Sequence, residues 1–108
     1  MEVVEINNVK SLEPFKDCVV RFIHSENVSL AFWTIKKNGV LPDHSHVNEQ
    51  VTTVTKGELE LTIDGKSEVL TPGKVVIIPS NVRHLAKALT DCELTDVFYP
   101  IREDYKNK

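Results

Sequence analysis

The residues with the clearest capacity for chemistry lie in the stretch Gly39-Val-Leu-Pro-Asp-His44-Ser-His46-Val-Asn-Glu-Gln50. Side chains two apart on an extended chain point to the same side, so His44 and His46 share a face. Gln50 keeps that parity if the strand continues through it. Imidazole is a frequent ligand for zinc, iron, nickel and copper, and an amide oxygen can complete a borderline-hard site. Alone, this pair is open to two readings: metal ligation, or a solvent-facing polar turn built from Pro42, Asp43, Ser45 and Asn48. A second stretch, Gly73-Lys-Val-Val-Ile-Ile-Pro79-Ser-Asn81-Val-Arg83-His84, favours ligation. It reads as an apolar strand, a proline-initiated turn and a third histidine opening the next strand, where a barrel could bring it opposite the first pair.

These side chains need a scaffold, and the surrounding sequence is a series of short strands. Cys18–His24, Val28–Lys37, Gln50–Thr55, Glu58–Asp64, Ser67–Leu70, Lys74–Ile78 and Glu93–Tyr99 are rich in Val, Ile, Thr and aromatics. Turn residues separate most of them, including Asn38-Gly39, Lys56-Gly57, Asp64-Gly65 and Pro72-Gly73. Glu58 to Ile63 alternates strictly, which predicts Leu59, Leu61 and Ile63 facing a core and the even positions facing water. Asp64-Gly65 suits a type I′ hairpin, whose two central residues both need positive φ. No segment carries apolar residues at helical spacing, so the expectation is an all-β sandwich or closed barrel.

The chain's 108 residues make one domain and suffice for a packed core without disulfide or structural zinc. A formal net charge of -3 argues against a nucleic-acid partner, which would need clustered Lys and Arg. Cys18 and Cys92 lie far apart and read as buried free thiols. MEVVEINNVK has no apolar signal region, and no apolar run approaches a membrane span; a cytoplasmic protein is expected.

With both histidine stretches in view, the sequence resembles the cupins. Their first motif appears here as His44, His46, Gln50 and Gly57, and their second as Gly73, Pro79, Asn81 and His84. Gly39 stands one residue nearer to His44 than is usual, Asn81 replaces a glycine, and Ala88 stands where asparagine is common. Asn tolerates the left-handed backbone nearly as well as Gly, so the change at 81 is benign. The resemblance implies a single-domain double-stranded β-helix, or jelly-roll barrel, over residues 28–100. It implies an N-terminal arm over 1–27 that helps form a homodimer; the mixed basic and acidic composition after Pro100 itself predicts a tail over 101–108 that leaves the barrel as a short helical turn. It also implies one divalent ion per chain, whether zinc, nickel, iron or manganese, held by His44, His46, Gln50 and His84. Gln50 in place of glutamate leaves the ion's charge uncompensated, which suits a Lewis acid and an anionic ligand. Glu49 has the wrong parity and should point away.

On the last strand, Leu94, Asp96 and Phe98 share one face. If that face is inner, Asp96 is a carboxylate in a cavity, its pKa raised by desolvation and lowered by a nearby cation. The alternative is an edge-strand aspartate that blunts aggregation or pairs with a surface arginine. The run Asp96-Val-Phe98-Tyr-Pro-Ile-Arg102-Glu-Asp-Tyr105 is similar to the C-terminal signature of the small pectin-degradation cupins, which convert 4,5-unsaturated uronates to linear keto acids. That resemblance implies Asp96 as acid/base, with Phe98 and Arg102 shaping a site for a small anionic sugar acid. Arg102 is otherwise a solvated tail charge paired with Glu103 or Asp104, and Arg83 is a further anion-binding candidate whose parity points outward. The competing functions are a dioxygenase-type cupin and a non-catalytic cupin that binds a small ligand. His24 reads as a satisfied or surface histidine. Of Phe32 and Trp33, one faces inward and the other outward.

Overall fold

Strand-length segments fenced by turns become ten strands in the computed structural model, which describes residues 1–108. In chain order they are β1 (Ser11–Phe15), β2 (Cys18–His24), β3 (Ser29–Ile35), β4 (Val40–His44) and β5 (Glu49–Lys56). β6 (Leu59–Ile63), β7 (Lys66–Leu70), β8 (Val75–Ile78), β9 (His84–Ala88) and β10 (Cys92–Tyr99) follow, then one helical turn, α1 (Glu103–Lys106). A six-stranded sheet runs β1-β2-β3-β10-β5-β8, and a four-stranded sheet runs β4-β9-β6-β7. Every pairing is antiparallel. The two sheets pack face to face, and the fold is all-β as expected.

Alternation decides which side chains enter the barrel. Leu59 and Leu61 of β6 are buried, while Glu60 and Thr62 keep partial exposure. The hairpin after β6 carries φ of 52° at Asp64 and 76° at Gly65, as a type I′ turn requires. On β10, Leu94, Asp96 and Phe98 are all buried, so the face that holds Asp96 is the inner one. Sixteen buried apolar residues form the core between the sheets, Trp33 among them; Phe32 lies on the other face, half-buried. Gly57 closes the end of the barrel with φ at 85°, where a Cβ would sit 2.1 Å from the Asp91 carbonyl oxygen. Cys18 and Cys92 are buried free thiols, and burial pushes the Cys18 pKa up to about 11.

Two expectations are corrected. The chain is not one continuous strand from His44 to Gln50. β4 ends at His44 in the four-stranded sheet, residues 45–48 bend, and Gln50 lies on β5 in the six-stranded sheet. Nor does the 101–108 tail leave the barrel. Ile101 and Arg102 are buried, and the Tyr105 ring stacks on Phe22 at 4.4 Å between centroids. The side chain of Asn48 donates to the carbonyls of Pro100 and Ile101 at 2.6 and 3.2 Å, and the Arg102 N–H donates to Ser29 Oγ at 2.9 Å. These bonds hold the tail down despite its charged composition.

Candidate metal centre

A cavity of about 380 Å³ opens between the sheets. His44, His46 and His84 enter it from β4, the bend after it, and the start of β9. His44 and His84 sit opposite one another in the β4–β9 register. His46 is placed by its loop, which the β8–β9 turn tethers. The Asn81 N–H donates to the His46 carbonyl at 2.8 Å, and the Ser80 hydroxyl donates to the Val47 carbonyl. Asn81 adopts φ of 66°, the left-handed conformation expected where it replaces glycine.

One rule orients all three rings. Nδ1 of His44, His46 and His84 meets the backbone carbonyl of Pro42, Asn48 and Val82 at 2.7, 3.0 and 2.9 Å. A carbonyl only accepts, so each Nδ1 carries the proton and each Nε2 presents its lone pair to the cavity. The candidate donor nitrogens lie within 4.8 Å of one another. His84 Nε2 is buried without any hydrogen-bond partner. Burial lowers the pKa of His46 and takes that of His84 down to about 4, so both rings stay neutral at pH 7.

A second chain of hydrogen bonds fixes Gln50. The Thr52 hydroxyl donates to Asp96 Oδ1 at 2.6 Å and therefore accepts from Gln50 Nε2 at 2.9 Å. That leaves Gln50 Oε1 facing His46 Nε2 at 3.1 Å. With the His46 proton on Nδ1, two acceptors confront each other across that gap. Such a contact is unfavourable unless a cation bridges it, and the orphaned His84 nitrogen points to the same conclusion. The donor set therefore fits a metal: the histidine cluster can hold one, and Gln50 offers a neutral oxygen beside it.

Asp96 stands on the opposite wall, 2% exposed, and burial raises its pKa to about 6 against the opposing pull of the Thr52 hydrogen bond. Phe98 lies edge-on to His46 at 5.5 Å between centroids. Arg102 is buried with its guanidinium 4.7 Å from the centre of the Phe98 ring. It pairs with Asp104, as one sequence reading allowed, but it lines the cavity and is not a solvated charge. The structure thus brings together all seven residues singled out for the site. Glu49 points away, and Arg83 bonds Asp43 at the surface, 2.9 Å off. His24 is satisfied by Ser29 Oγ at 2.7 Å. Four contributors went unassigned from sequence: Ser29, Asn48, Thr52 and Tyr105. Thr52 was within reach, since it shares Gln50's parity on β5.

Among solved structures, the chain is similar to an RmlC-like cupin from Shewanella frigidimarina, with 24% identity and a TM-score of 0.90 over 97% of this chain and 96% of that one. It is similar to KdgF from Halomonas sp. at 21% identity and TM-score 0.88, covering 96% and 97%. It is also similar to the polyketide cyclase RemF from Streptomyces resistomycificus at 22% and 0.81, covering 95% and 82%. At these identities the likeness is one of fold. No curated protein matches the chain. The family model described as the cupin domain matches residues 31–98, and the chain belongs to that family.

Proposed function

We propose that this cupin converts 4,5-unsaturated uronates, the products of polysaccharide lyases acting on pectin or alginate, to linear keto acids. The observation that carries the reading is Asp96: a buried carboxylate facing the same cavity as the three histidines, with Phe98 and Arg102 on its own side. His44, His46, His84 and Gln50 would hold one divalent ion. Bound there, it supplies Lewis-acid polarisation of a substrate oxygen. The similarity of the Asp96–Tyr105 run to the pectin-degradation cupins, and the fold shared with KdgF, support the same reading.

The conversion is an isomerisation. The ring oxygen separates from the anomeric carbon with the bonding electrons, the hydroxyl on that carbon loses its proton as an aldehyde forms, and the resulting enolate gains one on its C4 carbon as it becomes a ketone. One group that accepts and returns a proton is enough, and Asp96 is suited to it. Thr52 holds one Asp96 oxygen and so fixes the carboxylate's orientation in the cavity. Phe98 lines the cavity and backs the guanidinium of Arg102, which offers a planar cation to the substrate's carboxylate. The test follows the ultraviolet absorbance of an unsaturated uronate. Wild-type protein should abolish it, and Asp96→Asn should be at least ~100-fold slower with its metal content unchanged. Absorbance unchanged by the wild type across several uronates would refute the reading. Binding without turnover would indicate a ligand-binding module, and oxygen uptake with added iron a dioxygenase.

The homodimer belongs to the same proposal. Ile23, Leu30, Val97, Val51 and Ile77 lie directly opposite one another across five strands of the larger sheet, on its outer face. None is buried, and Ile77 is 64% exposed. Packed against a second copy, this charge-free row would leave water. Sedimentation should give twice the 12.2 kDa chain mass, and Val97→Lys should halve it; a wild-type monomer at micromolar concentration would rule the dimer out.

A further inference from the structure

Arg102 is the one Arg or Lys among the residues lining the cavity, and it is already engaged. Its Nε donates to Asp104 Oδ1 at 3.0 Å and its Nη2 to Oδ2 at 2.7 Å, a two-point grip of the kind a ligand carboxylate would make. The partners are unequal. The Arg102 side chain is 8% exposed, whereas that of Asp104 is 58% exposed, at the rim on a single helical turn. Arg102 does not need Asp104 to stay in place. Its guanidinium lies 4.7 Å from the Phe98 ring centre and 4.9 Å from that of Tyr105, and its own N–H is bonded to Ser29. Asp104 can swing into water and be rehydrated, at the loss of its bonds to Arg102, while the arginine cannot follow.

We infer that Asp104 is an internal stand-in for a ligand carboxylate, occupying the Arg102 fork until an incoming carboxylate takes its place. The inference rests on the proposed function in taking a sugar acid as the ligand. Asp104 then sets the affinity of the site. A carboxylate ligand must exchange with it, gaining one charged pair as another is lost, whereas a neutral sugar leaves the pair intact. A brace for Arg102 would have the opposite consequence, because its removal would loosen the cation and weaken binding.

Titration of D-glucuronate, a saturated uronate that cannot undergo the reaction, decides between these. Asp104→Asn should bind it about tenfold more tightly than wild type. It should bind the uncharged glucuronate methyl ester no differently. Asp104→Glu, which restores the charge, should return to wild-type affinity, and Arg102→Gln should lose the gain when combined with Asp104→Asn. If Asp104→Asn unfolds, Asp104→Ser carries the same expectation. Equal or weaker glucuronate binding by the Asn or Ser variant overturns the inference, as does an equal gain for the methyl ester. Turnover of unsaturated uronate in the same preparations separates the two ideas. Turnover without the affinity gain sinks the stand-in alone, and the gain without turnover sinks the ring-opening activity alone. Neither binding nor turnover in any variant sinks both.

Discussion

The histidines and the carboxylate face each other across one cavity, yet they are held by different means. Each histidine ring takes its orienting bond from a carbonyl two residues away. Asp96 and the segment from Pro100 to Arg102 depend on partners 44 to 73 residues distant: Thr52, Asn48 and Ser29. A short-range bond forms with the turn that contains it. A long-range bond exists only once the barrel has closed, so it reports on the whole fold. The histidine end of the cavity is therefore locally specified, and the carboxylate end is a product of assembly.

The largest effect should come from the histidine side. His44→Ala combined with His46→Ala should reduce metal content from about one ion per chain to almost none by elemental analysis. Retention of a full complement would remove the histidines from the metal site.

The two sides should also respond to acid in opposite senses. In chelator-treated protein, the folded pKa of His84 is about 4 against an ordinary 6.5. The unfolded chain binds the extra proton, so its contribution to stability is lost as pH falls from 6.5 towards 4. Asp96 is raised from 3.8 to about 6, so the folded chain holds the extra proton. Its contribution is present below 3.8 and is lost as pH rises through 6. Each shift corresponds to about 3 kcal/mol. The lowered pKa values of His24, His46 and Asp104 act in the same sense as that of His84, so urea titrations between pH 4 and 6 should find wild-type stability rising with pH. Asp96→Asn should steepen that rise, and His84→Gln should flatten it. The same slope in both variants would dissolve the contrast.

A smaller effect isolates the long-range bonds. Asn48→Ala removes both hydrogen bonds to the tail and should cost about 2 kcal/mol of stability. Amide exchange over residues 101–106 should quicken. Metal content should not change, because His46 is held by the Asn48 backbone carbonyl and not by its side chain. Loss of metal in this variant would mean that the two sides are not separable.

Much of this architecture is visible in the chain itself. Alternation along β6 and β10, positive φ at Asp64 and Asn81, and the spacing of His44, His46 and His84 are local consequences of side-chain period and turn chemistry. Gln50 shows where such reasoning reaches a correct neighbour by a wrong route. Parity along one strand placed it with the histidines, whereas a bend that transfers the chain between sheets brings it there. β1 and β4 carry little strand signal in the sequence because each is short, contains proline and sits at a sheet edge, where the apolar pattern is weakest.

For the site, residue types and spacing were enough to find the histidine donors, since ligand identity and ring orientation are set within a few residues. They could not determine that the carboxylate and the cation would be desolvated. Glu103, Asp104 and Lys106 make the tail look like a solvated end. Asn48, Ser29 and Phe22, all distant in sequence, fold it over the cavity mouth. Burial of Asp96 and the engagement of Arg102 by Asp104 arise only when two sheets and the tail close on the same space, because desolvation belongs to the assembled cavity and to no single segment.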